Sequence, residues 1–413
     1  MYNAPAGQRR WPAPVRALAH RDFRLYFFGQ GLSILGSWIQ QVGLSWLIYA
    51  TTGSSLLLGS VQLAALAPQL VLGPLVGAWA ENRDKRLLLM VVQGLMALQS
   101  LILALLTATG HAGTSAILGM SLVLGILNSF DGPLRQTAIV NFVENRRDLP
   151  NALALNAMLL NLGRFAGPPI AGLLLAASNA AACFAVNSLT FLALLLGLAL
   201  MRARERAQAR QATLSAFRAG IAHVVQTPKI RLLVGGVVIL NATAASYSVL
   251  LPLFVGHVFS GDGRLLGWLW GSAGLGALMA TVVIASLGDR MSPTRLIGGS
   301  LIACVPAMMT LAASHWLPAS LAAMLVLGFS ITGCNVSTNI TLQAVVEDAM
   351  RSRVIAVYLS GRLAAEALGG FAIGWIAAAL GPSGALYVAA ALLAGFILYL
   401  KMKHGDARVL SRA

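Results

Sequence analysis

The chain has 413 residues, 58% of them hydrophobic and only 10% charged, against about 25% charged in an average soluble protein. That excludes a soluble globular fold and points to an all-α integral membrane protein. The formal net charge of +16 would suit nucleic acid, but the basic residues are segregated along the chain in a way that gives them another task, so no nucleic-acid partner is expected.

A basic tail, 1–24, comes first. The apolar run after it is too long for a signal-peptide core, and no cleavage is expected. A helix needs about 20 residues to cross the hydrocarbon, and twelve such runs follow: 25–50, 55–80, 87–109, 115–143, 151–177, 180–201, 232–257, 264–287, 295–313, 318–346, 353–379 and 383–402. The first six make one bundle, 25–201, and the last six a second, 230–402, with a tail at 403–413. Between them lies a polar linker, 202–229, rich in arginine. Within it Leu214, Phe217, Ile221, Val224 and Val225 recur at helical spacing, which predicts a basic amphipathic helix on the membrane surface.

Of the 29 Lys and Arg, 25 fall in the tails and alternate loops; the opposite loops hold Arg264 alone, and three arginines are intramembrane. This is the positive-inside pattern over an even number of spans. It places both termini on the cytoplasmic side of the membrane, with the basic loops against anionic headgroups.

Polar residues within the spans form stripes at steps of three or four. Span 1 carries Gln30, Ser33, Ser37, Gln40, Gln41 and Ser45, and span 4 carries Asn128, Asp131 and Arg135. Span 7 carries Asn241, Thr243, Ser246 and Tyr247, and span 10 carries Thr332, Asn335, Asn339 and Gln343. The expectation is one wet cavity lined by spans 1, 4, 7 and 10, with Gln30, Ser33, Ser37, Gln40, Asn128, Asn241, Tyr247, Asn335 and Asn339 on its wall. Spans 3, 9 and 12 are nearly all apolar and should face lipid.

Five charges sit in this hydrocarbon: Asp131, Arg135, Arg164, Arg362 and Glu366. Each costs roughly 2.5–3.5 kcal/mol at mid-bilayer on insertion scales. Asp131/Arg135 and Arg362/Glu366 are i,i+4 pairs, each on one helix face. A chain that retains five such charges uses them on a substrate or ion path, or as salt bridges that hold helices together.

Enzyme chemistry finds no support. There is no Gly-Lys phosphate loop, no His-Glu-x-x-His and no Gly-x-Ser-x-Gly, so an ATP-driven pump would need a separate ATPase subunit. The six histidines lie in tails, loops or helix ends, and Cys183, Cys304 and Cys334 are far apart within spans. No metal site, disulfide framework or cofactor is expected.

The two halves echo each other. Gly125-Ile-Leu-Asn-Ser matches Gly328-Phe-Ser-Ile-Thr, and Val143-Glu144 matches Val346-Glu347 at the same offset. Gly167 and Gly172 match Gly369 and Gly374, which sets Arg164 opposite Glu366 in the repeat. Duplicated halves with a site between them are the sequence pointer to a secondary transporter.

Three motifs then carry a family resemblance across nearly the whole chain. Gly77-Ala-Trp-Ala-Glu81-Asn-Arg83-Asp-Lys85-Arg86 follows span 2, Gly163-Arg164-Phe-Ala-Gly167-Pro168-Pro169-Ile-Ala-Gly172 lies in span 5, and Phe130-Asp131-Gly-Pro133-Leu-Arg135-Gln136 lies in span 4. The first resembles the cytoplasmic loop signature of the major facilitator superfamily, with Glu81 where Asp is usual and Asp84 where Gly is usual. The second resembles the antiporter signature of drug-exporting facilitators. The third is similar to the D-x-P-x-R-Q segment of the bacterial exporter branch that contains the enterobactin exporter.

The resemblance implies two pseudo-symmetric six-helix bundles and proton-driven export of a small molecule such as a siderophore, by a monomer working through alternating access. It implies a gate in which Glu81 caps a helix of the other half, near Arg353, and Arg83, Lys85 and Arg86 pair across the halves. Asp131 or Glu366 is then the expected proton carrier. An excess of one positive charge among the five favours an at least partly anionic cargo. Import, or transport of lysolipids or drugs by the same fold, remains the alternative.

Overall fold

The structure is a computed structural model that describes residues 13–79, 83–201, 214–287 and 292–404. Among these all regular structure is helical. In chain order the first half holds α1 (Arg21–Thr52), α2 (Ser55–Trp79), α3 (Lys85–Ala108), α4 (Thr114–Phe142), α5 (Leu149–Ala177) and α6 (Ala180–Ala199). Next come α7 (Leu214–Gln226), α8 (Pro228–Thr243), α9 (Tyr247–Leu253), α10 (Gly263–Leu287), α11 (Pro293–Ala313), α12 (Leu317–Val345) and α13 (Asp348–His404).

Ten stretches of the described residues are helices long and apolar enough to cross a membrane, one of them formed by α8 and α9 together. The 32-residue α1, diluted by its polar stripe, adds another crossing. The long α13 is two crossings joined at Gly381, where φ is 72° and ψ 172°. Only glycine adopts that backbone without strain, and Pro382 follows it, so spans 11 and 12 meet with no loop between them. The fold is therefore twelve spans in two six-helix bundles.

Within the first half α1 packs on α5 and α6, α2 on α4, and α3 on α6; within the second α10 and α11 pack on α12, and α8 and α11 on α13. Two crossings join the halves: α5 against α10, and α2 against α13. Internal symmetry is visible here. A Cβ on Gly172 would lie 2.8 Å from the Gly263 carbonyl oxygen of α10, and one on Gly59 of α2 would lie 2.7 Å from the Gly370 carbonyl oxygen. Gly374, the repeat partner of Gly172, meets Ser55 and Gly59. These glycines let backbones touch at both crossings.

The contacts between halves gather at the end away from the basic loops, the far end. Besides the glycine crossings, Tyr49 of α1 seats against Gly256 and stacks edge-on over His257, 5.7 Å between ring centres. Toward the basic end the seam loosens: from Gln62 to Gly73 not one residue of α2 is fully buried.

Three elements differ from the sequence reading. Span 7 is not one helix but α8 and α9 separated at Ala244–Ser246, followed by a wide π turn at Phe254–Val258. Side chains compete for the backbone there: Asn241 donates to the Val237 carbonyl, Thr243 to Ile239 and Ser246 to Ala242, and Pro252 has no N–H to give.

Second, α3 does not face lipid alone. Leu87, Val91, Leu95, Leu98 and Leu105 form an exposed stripe, but Gln93, Gln99 and Ser100 are buried on the other side. Third, α7 packs against α8 and α13, with Gly220 against the Arg353 carbonyl, while Ile221 and Val225 stay exposed. The rest of the linker, 202–213, lies outside the described residues.

Candidate functional site

The two intramembrane ion pairs have different surroundings. Asp131 and Arg135 flank Pro133 on α4, with Arg135 Nε donating to Asp131 Oδ1 at 2.6 Å. Gln93 of α3 donates to the same oxygen at 2.6 Å. The remaining guanidinium nitrogens of Arg135 reach back to α1, donating to Gln30 Oε1 and, at 3.3 Å, to Ser33 Oγ. Both charged side chains are only 12% exposed. Neither lines the cavity between the halves, and neither do Gln30 and Ser33.

Arg362 and Glu366 sit at mid-span on α13. Arg362 Nη1 donates to Glu366 Oε2 at 3.5 Å, and the side chains are 30% and 28% exposed. Glu366 lines the cavity, whose volume is about 230 Å³.

Arg164 of α5 lies with its guanidinium carbon 5.7 Å above the Trp38 ring, and among the described residues no ion pair is seen for it. Trp38 stacks on Trp270, 5.9 Å apart, and Trp270 on Tyr247, 5.8 Å apart. Tyr247 stands in the fields of both Arg164 and Glu366. The rings of α1, α9 and α10 thus form one aromatic cluster, with Arg164 of α5 over Trp38 and with Trp270 on the same cavity wall as Glu366.

The cavity wall is not the four-span wall expected. Ser37 and Gln40 of α1, and Asn128 of α4, do line it. Span 7 contributes Ser248 and Val249, whereas Asn241 is buried and donates to Asn335 of α12 at 3.1 Å. Tyr247 is buried behind Trp270. Asn335 and Asn339 are not on this wall; Asn339 accepts from Gln343, one turn along on its own helix.

In their place α2 supplies a whole face, including Gln62 and Gln69, and α3 adds Met96. The physical reason is the crossing geometry. With α2 against α13 at the far end, the α2 face that continues below the contact opens into the cavity. Gln62, Gln69, Gln99, Ser100 and Asn187 were readable as polar residues inside apolar spans, but no stripe singled them out. Gln40 is held by three of their companions: Ser100 and Asn187 donate to its Oε1 at 2.7 and 2.6 Å, and its own Nε2 donates to Gln99 at 3.3 Å.

The gating motifs are distributed as follows. Gly163 and Gly167 face Ile34 and Trp38 of α1, while Pro168 and Gly172 face Gly267 of α10. Gly77 lies in the last turn of α2, and Glu81 lies outside the described residues. Asp84 is the N-cap of α3, accepting from the Leu87 N–H at 3.0 Å, which accounts for an acid at a position where the signature has glycine. Arg86 donates to the Leu198 and Ala199 carbonyls at 2.7 and 2.9 Å. It therefore binds the C-terminal end of α6 in its own half, a favourable place for a cation, instead of reaching across the halves. Lys85 is buried and Arg83 exposed. Among the described residues no three His, Cys, Asp or Glu gather as a metal site.

Two bundles joined at two glycine crossings, with a polar cavity between them that bears Glu366 on its wall, define a polytopic transporter of the major facilitator type. The family model described as "transmembrane secretion effector" matches residues 12–411, and the chain belongs to that family. It is 30% identical over 262 residues to the staphyloferrin A transporter of Staphylococcus aureus, covering 63% of this chain and 66% of that one. It is 26% identical to the multidrug efflux pump Tap of Mycolicibacterium fortuitum, over 84% of this chain and 87% of that one. To the enterobactin exporter EntS of Escherichia coli O1:K1 / APEC it is 24% identical, over 92% and 90%.

Solved structures of similar fold include a bacterial homologue of the lysosomal transporter Spinster in an inward-facing, unoccupied conformation, with TM-score 0.72, 14% identity and coverage of 95% and 97%. Another is the nucleoside transporter NupG, with TM-score 0.69, 14% identity and coverage of 93% and 97%. The protein is thus a membrane-embedded small-molecule transporter and not an enzyme.

Proposed function

We propose that this transporter is a proton-coupled exporter of a small, at least partly anionic molecule of the siderophore class. The observation that carries the reading is the Arg362–Glu366 pair: long at 3.5 Å, with side chains 30% and 28% exposed and Glu366 on the cavity wall. An anion arriving at Arg362 competes with Glu366 for the guanidinium and frees the acid to take a proton, so cargo and proton exchange for one another. Arg164 supplies a second planar guanidinium suited to carboxylate or catecholate oxygens, and Trp38 and Trp270 offer ring faces beside it.

In this reading the bundles 25–201 and 230–402 rock as a monomer about the far-end glycine crossings. The basic end faces the bacterial cytoplasm, and the conformation described is the inward-open one. Glu81 caps the start of α13 when the basic end closes. Similarity to the staphyloferrin A and enterobactin transporters supports the cargo class.

The test is reconstitution in liposomes with an imposed proton gradient. Accumulation of a carboxylate or catecholate siderophore driven by that gradient supports the reading. Gradient-independent flux, or competition by the cation ethidium but not by acids, overturns it. A second reading, multidrug efflux, draws on the similarity to Tap and on the aromatic cluster, and the ethidium result would favour it. In cells, medium from a deletion strain grown under iron limitation should lack an anionic metabolite that its parent exports.

A further inference from the structure

We infer that Gln62 of α2 is a positioning residue that ties closure of the far end to the charge state of Glu366. This rests on Glu366 being the coupling acid. Gln62 stands where the sealed seam ends and the cavity begins. Its Nε2 donates to the Glu366 backbone carbonyl at 3.3 Å, and its Oε1 accepts from Ser248 Oγ of α9 at 3.1 Å. One amide from the first half thus clamps two helices of the second. Toward the far end the α2–α13 seam continues in close backbone contacts, Gly59 against Gly370 and Gly374 against Ser55. Gly370 also makes room for the amide, since a Cβ there would lie 3.0 Å from the Gln62 carboxamide.

The clamp grips the very turn of α13 that the Arg362–Glu366 pair spans. With the pair made, that turn is held at both ends by its own side chains and from outside by Gln62. Neutralising Glu366 frees Arg362, the turn relaxes, and the amide loses the fixed carbonyl on which it closes. The ionisable groups facing Glu366 are few. Arg362 is on its own helix, Tyr247 is on α9 and Arg164 is on α5. The α2 helix carries no ionisable side chain. The α8 and α11 helices bring Lys229, Arg231 and Arg295 only at the basic end, and the nearer ionisable residues of α11 and α12 are Cys304 and Cys334.

Spin labels on His111→Cys and His315→Cys, exposed at the far end of each half, read the separation of the halves. The native Cys183, Cys304 and Cys334 are buried and take no label. In lipid nanodiscs without cargo, the native far-open fraction should change as pH is stepped from about 8 to about 5. Gln62→Met keeps the volume and removes both bonds. It should raise the open-to-closed ratio about five- to a hundredfold, the worth of two net hydrogen bonds, and abolish the pH response. Gln62→Asn, too short to span the gap, should do the same and serves if the Met variant does not fold. Ser248→Ala should raise the ratio less and keep the response.

A Gln62→Met protein that responds to pH like the native one overturns the inference. If Glu366→Gln loses the response while Gln62→Met keeps it, only Gln62 is refuted. If Glu366→Gln keeps it, or the native protein shows none, the coupling-acid reading falls as well.

Discussion

The Asp131–Arg135 and Arg362–Glu366 pairs share spacing and chemistry within apolar helices, yet they are built to different ends. The first is saturated: Gln93 holds the acid, Gln30 and Ser33 hold the base, and the cluster ties α4 to α1 and α3 within one bundle. The second is left slack at 3.5 Å, with one member, Glu366, on the cavity wall. Number of partners, more than the presence of charge, separates an ion pair that holds helices from one free to exchange its counter-ion. A saturated buried pair is costly to break because each survivor keeps its desolvation penalty.

The largest effect should come from breaking the saturated pair. Arg135→Ala leaves Asp131 charged with one amide partner and should cost about 3–5 kcal/mol of stability, measured as a lowered denaturation midpoint in detergent. Next, Glu366→Gln should cut proton-driven accumulation at least about tenfold, or 1.4 kcal/mol of coupling, while cargo-for-cargo exchange continues. If exchange fails with it, the slack pair is structural too and the contrast collapses. Arg164→Gln should raise the half-saturating concentration for an anionic cargo about tenfold, the scale of one lost charged hydrogen bond, and leave uptake of a neutral analogue unchanged. The last variant sharpens the comparison. Asp131→Asn keeps the shape and the Gln93 contact, so it should lower stability by only about 1–3 kcal/mol and leave the pH dependence of flux in place.

Much of the architecture was legible because the bilayer imposes so few solutions. Apolar runs marked the spans, arginine placement marked the two ends, and Gly172 and Gly374 fell at equivalent positions of the repeat. The cavity wall was less legible. Stripe counting favoured Asn335 and Asn339 because polar residues at helical spacing look like a wall, yet Asn335 is spent on Asn241 and, through its carbonyl, on Tyr358. It passed over Gln62, one amide in an apolar helix, because its importance comes from a partner 304 positions away. Nor does spacing reveal how many neighbours an ion pair has. Asp131/Arg135 and Arg362/Glu366 are indistinguishable i,i+4 pairs until Gln93, Gln30 and Ser33 are placed around one of them.

The Gly381–Pro382 break bears on how the protein is made. Span 11 carries Arg362 and Glu366 and is a poor candidate to enter a bilayer alone, since a central arginine costs about 2.5–3.5 kcal/mol at insertion. Span 12 has no charge between Pro382 and Leu400, and with no polar loop between the two the ribosome delivers them almost as one object. The charged helix should then enter as one arm of a hairpin. A chain stopped shortly after Gly381 should leave its eleventh span outside the membrane, where a glycosylation-mapping tag would report it, so the twelfth span acts during synthesis as the membrane anchor of the eleventh.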